Sequence, residues 1–162
     1  MQLDIAIESW PEGDWEGLAA RAAASTLEVA PELANPRLSA SLLLTSDEAV
    51  HALNRAWRDT DKPTNVLSFP MLSREGLLAL PAEGPEMMLG DIALAHETCA
   101  REAAEEGVSL TDHAAHLFVH GLLHLAGYDH ETSPADAEKM EALEIKALAQ
   151  LGITDPYGDR ES

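Results

Sequence analysis

The chain has 162 residues, 46% apolar and 4% aromatic, which excludes a disordered protein and allows one aliphatic core. Its 29 acidic residues outnumber 10 lysines and arginines, and the net charge of -19 argues against a general nucleic-acid binder with a basic surface. Three of the ten basic residues, Arg55, Arg58 and Lys62, nevertheless lie close together, and we expect any polyanion to bind there.

Cysteine content and hydropathy indicate the compartment. The single cysteine, Cys99, cannot form an internal disulfide, and we expect it to be a small buried apolar residue. The first ten residues have neither the basic start nor the apolar run of a signal peptide. No stretch approaches the roughly 20 apolar residues that a membrane span needs. We therefore expect a soluble, cytoplasmic protein with no membrane partner.

The predicted elements alternate between strands and helices along the chain. Alternating or short apolar runs predict four strands, at residues 2–8, 38–44, 65–69 and 89–95. Apolar residues at helical spacing, with capping residues and closing Gly or Pro, predict five helices, at residues 15–29, 47–57, 96–106, 109–126 and 134–151. Residues 71–88 are rich in Gly and Pro and are predicted to form a long loop. Residues 1–162 thus form one mixed α and β domain.

The fourth predicted helix carries four of the seven histidines, and two of them have the spacing of a metal site. Four residues advance an α-helix by about one turn, so His120 and His124 share a face about 6 Å apart along the axis. Both imidazoles can then reach one ion, as in zinc motifs with this spacing.

A third ligand is predicted at His130. In an unbroken helix it would point away from the other two, but Gly127 can adopt the left-handed conformation that ends a helix and reverses the chain. His120, His124 and His130 then bind one ion, about one zinc per chain, through nitrogens at about 2.0–2.1 Å. Three protein ligands leave a position for water, which is typical of a catalytic zinc site.

The other histidines fit this site less well. His116 shares the stripe of His120 and His124, but residues eight apart lie about 12 Å apart along the axis, too far for one ion. We therefore expect His116 to pack beside the ligands. His113 and His51 are predicted to lie at the surface.

Residues 120–130, HGLLHLAGYDH, resemble the signature of the YbeY family of rRNA maturation factors, which are metal-dependent endoribonucleases. Three further blocks resemble the same family: LNRAWRDTDKPTNVLSFP at 53–70, LGDI at 89–92, and MEALEIKALAQLGITDPY at 140–157. The resemblance covers most of the chain from residue 38 onward, in order.

The resemblance implies a site, a fold and a function. His120, His124 and His130 match the family's zinc ligands, and Arg58 matches the arginine of its RNA-processing site. The implied fold is α+β, a four-stranded, mostly parallel mixed sheet with helices around it and the metal site at the end of a central helix. The implied function is single-strand-specific cleavage of RNA in ribosomal RNA maturation and ribosome quality control. Its partners are ribosomal RNA and ribosomal or assembly proteins rather than DNA.

Two other functions remain open from the residues. A zinc peptidase of the related motif places a glutamate directly after the first ligand, and here that residue is Gly121. The nearest acid is Asp129, which either orients a ligand or caps the turn. A phosphodiester substrate fits better, because a metal activates water and Arg58 offers a planar fork for phosphate. The third possibility is a ribosome-assembly factor whose metal is mainly structural.

Overall fold

The computed structural model describes residues 1–58, 64–128 and 133–156, without the side chains of residues 57 and 58. The strands in these ranges are β1 (Gln2–Ile7), β2 (Leu38–Thr45), β3 (Val66–Pro70) and β4 (Met87–Ala95). The α-helices in the same ranges are α1 (Trp15–Val29), α2 (Asp47–Arg58), α3 (Arg74–Ala79), α4 (His96–Glu106), α5 (Leu110–Leu125) and α6 (Pro134–Gln150). A short 3-10 helix, Pro31–Ala34, lies between α1 and β2.

The four strands form one mixed sheet in the order β1-β2-β4-β3. β1 pairs parallel with β2, and β2 pairs parallel with β4. β3 is antiparallel to β4, with Leu67 opposite Ala93 and Pro70 opposite Gly90. The single α+β domain and its mostly parallel mixed sheet are therefore confirmed.

Helices cover the two faces of the sheet unequally. The large core contains alternate residues of β2, such as Leu42 and Leu44, packed with helices that include α1, α5 and α6. The smaller core on the other face joins Val50 of α2 to Leu67 and Ala93 of the sheet. The histidine-bearing α5 is buried along most of its length and lies against β3 and β4.

Two glycines allow α5 to approach the sheet closely. A Cβ on Gly121 would lie 2.9 Å from Cδ1 of Ile92, a buried residue of β4. A Cβ on Gly90 would lie 2.5 Å from the carbonyl oxygen of Phe69 and 2.6 Å from Cδ2 of Leu125, at the end of α5. Both glycines are therefore close-approach positions that set the distance between α5 and the strands.

The prediction of one long loop over residues 71–88 was wrong, because α3 lies within it. The side chain of Ser73 accepts a hydrogen bond from the backbone N–H of Gly76, and Leu77 is buried against the large core. A cap and one buried leucine stabilise this short helix although Gly and Pro surround it. The described residues thus contain six α-helices, where about five were predicted.

Cys99 at the start of α4 is buried, as predicted. Its burial, together with the nearby carboxylates of Glu102 and Asp47, raises the pKa of the thiol to about 12. In the part of the chain that the structure describes, no helix combines the length and apolar character that a membrane crossing requires.

Candidate metal centre

The ends of α5 form as the sequence predicts. The side chain of Ser109 accepts a hydrogen bond from the N–H of Asp112, which caps the first turn. At the other end Gly127 has φ +97°, the N–H of Tyr128 donates to the carbonyl of Leu123, and the N–H of Gly127 donates to that of His124. This pair of bonds is a Schellman motif, and it turns the chain away from the helix axis at Gly127.

His120 and His124 are neighbours on one face of α5. Their ring centroids are 4.8 Å apart and the ring planes cross at 72°. Both side chains are half-buried, so an ion from solvent can reach the pair. The structure therefore brings together two of the three predicted ligands.

A buried carboxylate contacts this histidine pair from α6. Glu144 is 1% exposed, and its Oε1 lies 2.5 Å from Nδ1 of His120. The same oxygen lies 3.7 Å from Nε2 of His116, one turn earlier on α5. Nδ1 is thus the ring nitrogen of His120 that contacts Glu144, and such a carboxylate contact commonly accompanies a histidine that binds metal through its other nitrogen.

The prediction that His113 lies at the surface was wrong. It is 5% exposed, and its Nε2 lies 2.9 Å from Oε1 of Glu102 on α4. The same oxygen of Glu102 accepts a hydrogen bond from the side-chain amide of Asn65 at 2.8 Å. The prediction failed because the stripe of α5 that holds His113 faces α4 rather than solvent. His51 is half-buried, and His116 packs beside His120 as predicted.

A polar cluster of Glu32, Arg74 and Tyr128 holds the turn that follows α5. Nη1 of Arg74 donates to Glu32 and, at 2.8 Å, to the carbonyl of Ala126. The hydroxyl of Tyr128 donates to Glu32 at 2.8 Å, and the Arg74 guanidinium lies 4.5 Å from the centre of the Tyr128 ring.

Charge and burial act in opposite directions on the pKa values in this cluster. Burial alone would raise the pKa of Glu32, but its backbone hydrogen bond and those from Arg74 and Tyr128 lower it overall. Burial and the Glu32 carboxylate together raise the pKa of Tyr128. The cluster therefore contains an ionised Glu32 between a cation and a phenol at neutral pH.

Several predicted site residues fall outside the described part of the chain. These are His130, Asp129, Lys62 and the side chain of Arg58. Within the described ranges, no group of three or more His, Cys, Asp or Glu side chains has the arrangement of a metal site. The third ligand therefore stays a prediction, as does the role of Arg58 in the site.

Glu144 was missed by the sequence reasoning, although the sequence carries a signal for it. In α6 the buried residues are Met140, Glu144, Ala147 and Leu148, which share one helix face. An acid on an apolar face is costly to bury unless a partner accompanies it. Such a position therefore indicates a polar partner on the helix opposite.

Comparison with known proteins gives a consistent family. The family described as endoribonuclease YbeY matches residues 8–152. A protein named endoribonuclease YbeY from Erythrobacter litoralis is 67% identical over 160 residues, covering 99% of each chain. Another of that name from Novosphingobium aromaticivorans is 63% identical, covering 89% of this chain and 87% of its own.

The fold also resembles a solved structure. The solution structure of a protein from Thermotoga maritima matches with a TM-score of 0.59 and 23% sequence identity. The match covers 99% of this chain and 92% of that protein. At this identity the likeness concerns the fold alone.

Proposed function

The chain belongs to the YbeY family of endoribonucleases, and on this premise we propose that it cleaves single-stranded RNA with a bound zinc ion. The proposed role is maturation of ribosomal RNA and ribosome quality control in the cytoplasm. The metal site is supported by the adjacent rings of His120 and His124, together with Glu144, which contacts Nδ1 of His120. Residues 1–162 act as one catalytic domain in this proposal.

The donor set fits zinc. Imidazole nitrogens are ordinary zinc ligands, and a carboxylate on the other ring nitrogen is the usual partner of such a ligand. The Schellman turn at Gly127 directs the chain out of the helix just before His130, which we propose as the third ligand. The ion would supply an activated water and neutralise charge on the scissile phosphate.

Arg58 is proposed to bind the phosphate. It ends α2, the helix that also carries the exposed Arg55. A guanidinium offers a planar pair of donors that matches two phosphate oxygens, and it stays charged throughout the reaction. Positive charge at this place is notable in a chain of net charge -19.

The acidic surface limits how RNA is delivered. Counterion release from a basic surface normally supplies most of the affinity for nucleic acid, and this chain has few basic residues to provide such a surface. We infer that free RNA binds weakly and with strong salt dependence. Ribosomal or assembly proteins would then bring ribosomal RNA to the site, with neither DNA nor a membrane as partner.

The structure gives a reason to reject peptidase chemistry. In the related peptidase motif the residue after the first ligand is the general base, and here that residue is Gly121. Gly121 faces the sheet, with its missing Cβ 2.9 Å from Ile92. A longer side chain at this position would enter the core rather than reach a substrate. An assembly factor with a structural metal remains the second candidate, because it needs the same ligands.

Cleavage of ribosomal RNA precursors distinguishes these functions. We would compare the zinc-loaded protein with His124→Ala, and with His96→Ala as a histidine variant outside the site. Wild type and His96→Ala should cleave, while His124→Ala should lose both zinc and cleavage. Equal cleavage by His124→Ala would show that the site is not responsible. Zinc binding without cleavage by any sample would favour the assembly factor.

A further inference from the structure

We propose that Glu144 is a positioning residue that holds His120 in the tautomer able to bind metal through Nε2. The inference rests on the proposed metal site and adds to it a residue of α6 that is not itself a ligand. Its function would be to select one ring nitrogen of His120 and to fix the direction of the ring.

Glu144 lies where it can accept a hydrogen bond from His120. One atom, Oε1, faces both Nδ1 of His120 at 2.5 Å and Nε2 of His116 at 3.7 Å. Only the distance to Nδ1 of His120 is that of a hydrogen bond, and there an imidazole N–H donates to the carboxylate oxygen. The geometry therefore fits Glu144 as the acceptor of a hydrogen bond from Nδ1 of His120.

A hydrogen bond at Nδ1 selects the tautomer of His120. When Nδ1 of a neutral imidazole carries the hydrogen, Nε2 has the free lone pair and can bind a metal. In the opposite tautomer Nε2 carries the hydrogen and cannot bind a metal. His120 lies one turn before His124, and the centres of the two rings are 4.8 Å apart. Nε2 of His120 could therefore bind the same ion as His124.

The burial of Glu144 strengthens its contact with His120. Glu144 is almost fully enclosed, on a helix face otherwise made of Met140, Ala147 and Leu148. Burying a carboxylate without a partner is unfavourable, so the hydrogen bond to His120 is well ordered once it forms. Solvent also weakens a hydrogen bond to a buried carboxylate less than it weakens one to an exposed carboxylate.

The test uses the isosteric variant Glu144→Gln in the full chain. We would measure the dissociation constant for Zn²⁺ by competition with a chromophoric chelator. Loss of such a partner commonly weakens metal binding by about 10- to 100-fold, and that range is expected here. The matched control is Glu102→Gln, which removes the carboxylate bound to the non-ligand His113 and should change zinc affinity less than about twofold.

A second readout does not depend on metal or activity. Long-range ¹H–¹⁵N correlation spectra of the metal-free protein, at a pH where the rings are neutral, report which nitrogen of His120 carries the hydrogen. We expect the Nδ1–H tautomer in the wild type and in Glu102→Gln, and a mixture of tautomers in Glu144→Gln.

The outcomes separate this inference from the proposed function. A wild type that binds zinc while Glu144→Gln binds it equally well would overturn the role of Glu144 alone. An Nε2–H tautomer in the wild type would overturn it as well, whatever the zinc affinity. A wild type that binds no zinc would overturn the metal site and this inference together. Weaker zinc binding with a mixed tautomer in Glu144→Gln alone would support it.

Discussion

Gly90→Ala should be one of the most damaging single-methyl changes in this protein. Gly90 lies in the central strand β4, opposite Pro70 of β3, and has φ +157°. An added Cβ would lie 2.5 Å from the backbone oxygen of Phe69 and 2.6 Å from Leu125. The first neighbour is backbone of a paired strand and cannot rotate away. Strand β3, helix α5 or both must therefore move.

The size of the effect follows from two contributions. A non-glycine residue in this backbone region costs roughly 1–3 kcal/mol. Forcing a methyl group into a packed site commonly costs roughly 1–3 kcal/mol more. After partial relaxation we expect a loss of about 2–5 kcal/mol, a large share of the roughly 5–15 kcal/mol that stabilises a typical domain. Because Leu125 follows His124, the surviving folded variant should also bind zinc more weakly.

Urea unfolding followed by circular dichroism measures this loss. The control is Gly107→Ala at the end of α4, where φ is +71° but nothing lies within 4 Å of the added Cβ. It should lose only about 1 kcal/mol, the usual cost of the left-handed conformation. With a typical urea dependence of about 2 kcal/mol per M, Gly90→Ala should unfold at a midpoint about 1–2.5 M lower than wild type. If the two variants lose equal stability, the close packing of β4 against β3 and α5 at Gly90 is not the cause of the loss.

The remaining predictions concern the site and the cluster beside it. Arg58→Ala should lose RNA cleavage but keep its zinc, because the arginine is not a ligand; parallel cleavage and metal analyses check this, and loss of zinc would contradict it. EDTA should abolish cleavage and added Zn²⁺ should restore it, whereas cleavage that persists in EDTA would argue for a contaminant. Arg74→Met should lower stability at neutral pH. Because folding lowers the pKa of Glu32 from its ordinary value near 4.5, the carboxylate stabilises the fold above that value and loses this effect as pH falls through the folded pKa. The free energies of unfolding of Arg74→Met and wild type, measured with urea, should therefore differ less at about pH 3 than at about pH 7. A difference independent of pH would refute the role of Glu32.

The sequence predicted α5 well because its signals are local. Ser109 and Asp112 lie within one turn, and Gly127 directly follows the last helical residues. Caps of this kind depend on a few neighbouring residues and on backbone conformation, so they can be identified without knowing the rest of the fold. The shared face of His120 and His124 follows from helical geometry in the same way.

The partners of those histidines could not be predicted in the same way. Glu144 reaches His120 from 24 residues away, and Glu32 reaches Tyr128 from 96 residues away. Such pairs depend on how helices pack in three dimensions, which periodicity within one helix does not specify. His113 shows the same limit, because only the position of α4 decides that this stretch of α5 is covered.

Cys99 has a practical consequence for experiments on this protein. It is the only thiol in the sequence, it is buried, and its pKa is raised to about 12, so alkylating reagents should reach it only when the fold opens. The rate of maleimide labelling thus reports the opening of the native fold, without any added probe. The same property allows an exposed position such as Glu138 to be changed to cysteine and labelled selectively with a fluorophore, while the native thiol stays in place. Distance changes between such a dye and labelled RNA could then be followed in the otherwise unmodified chain.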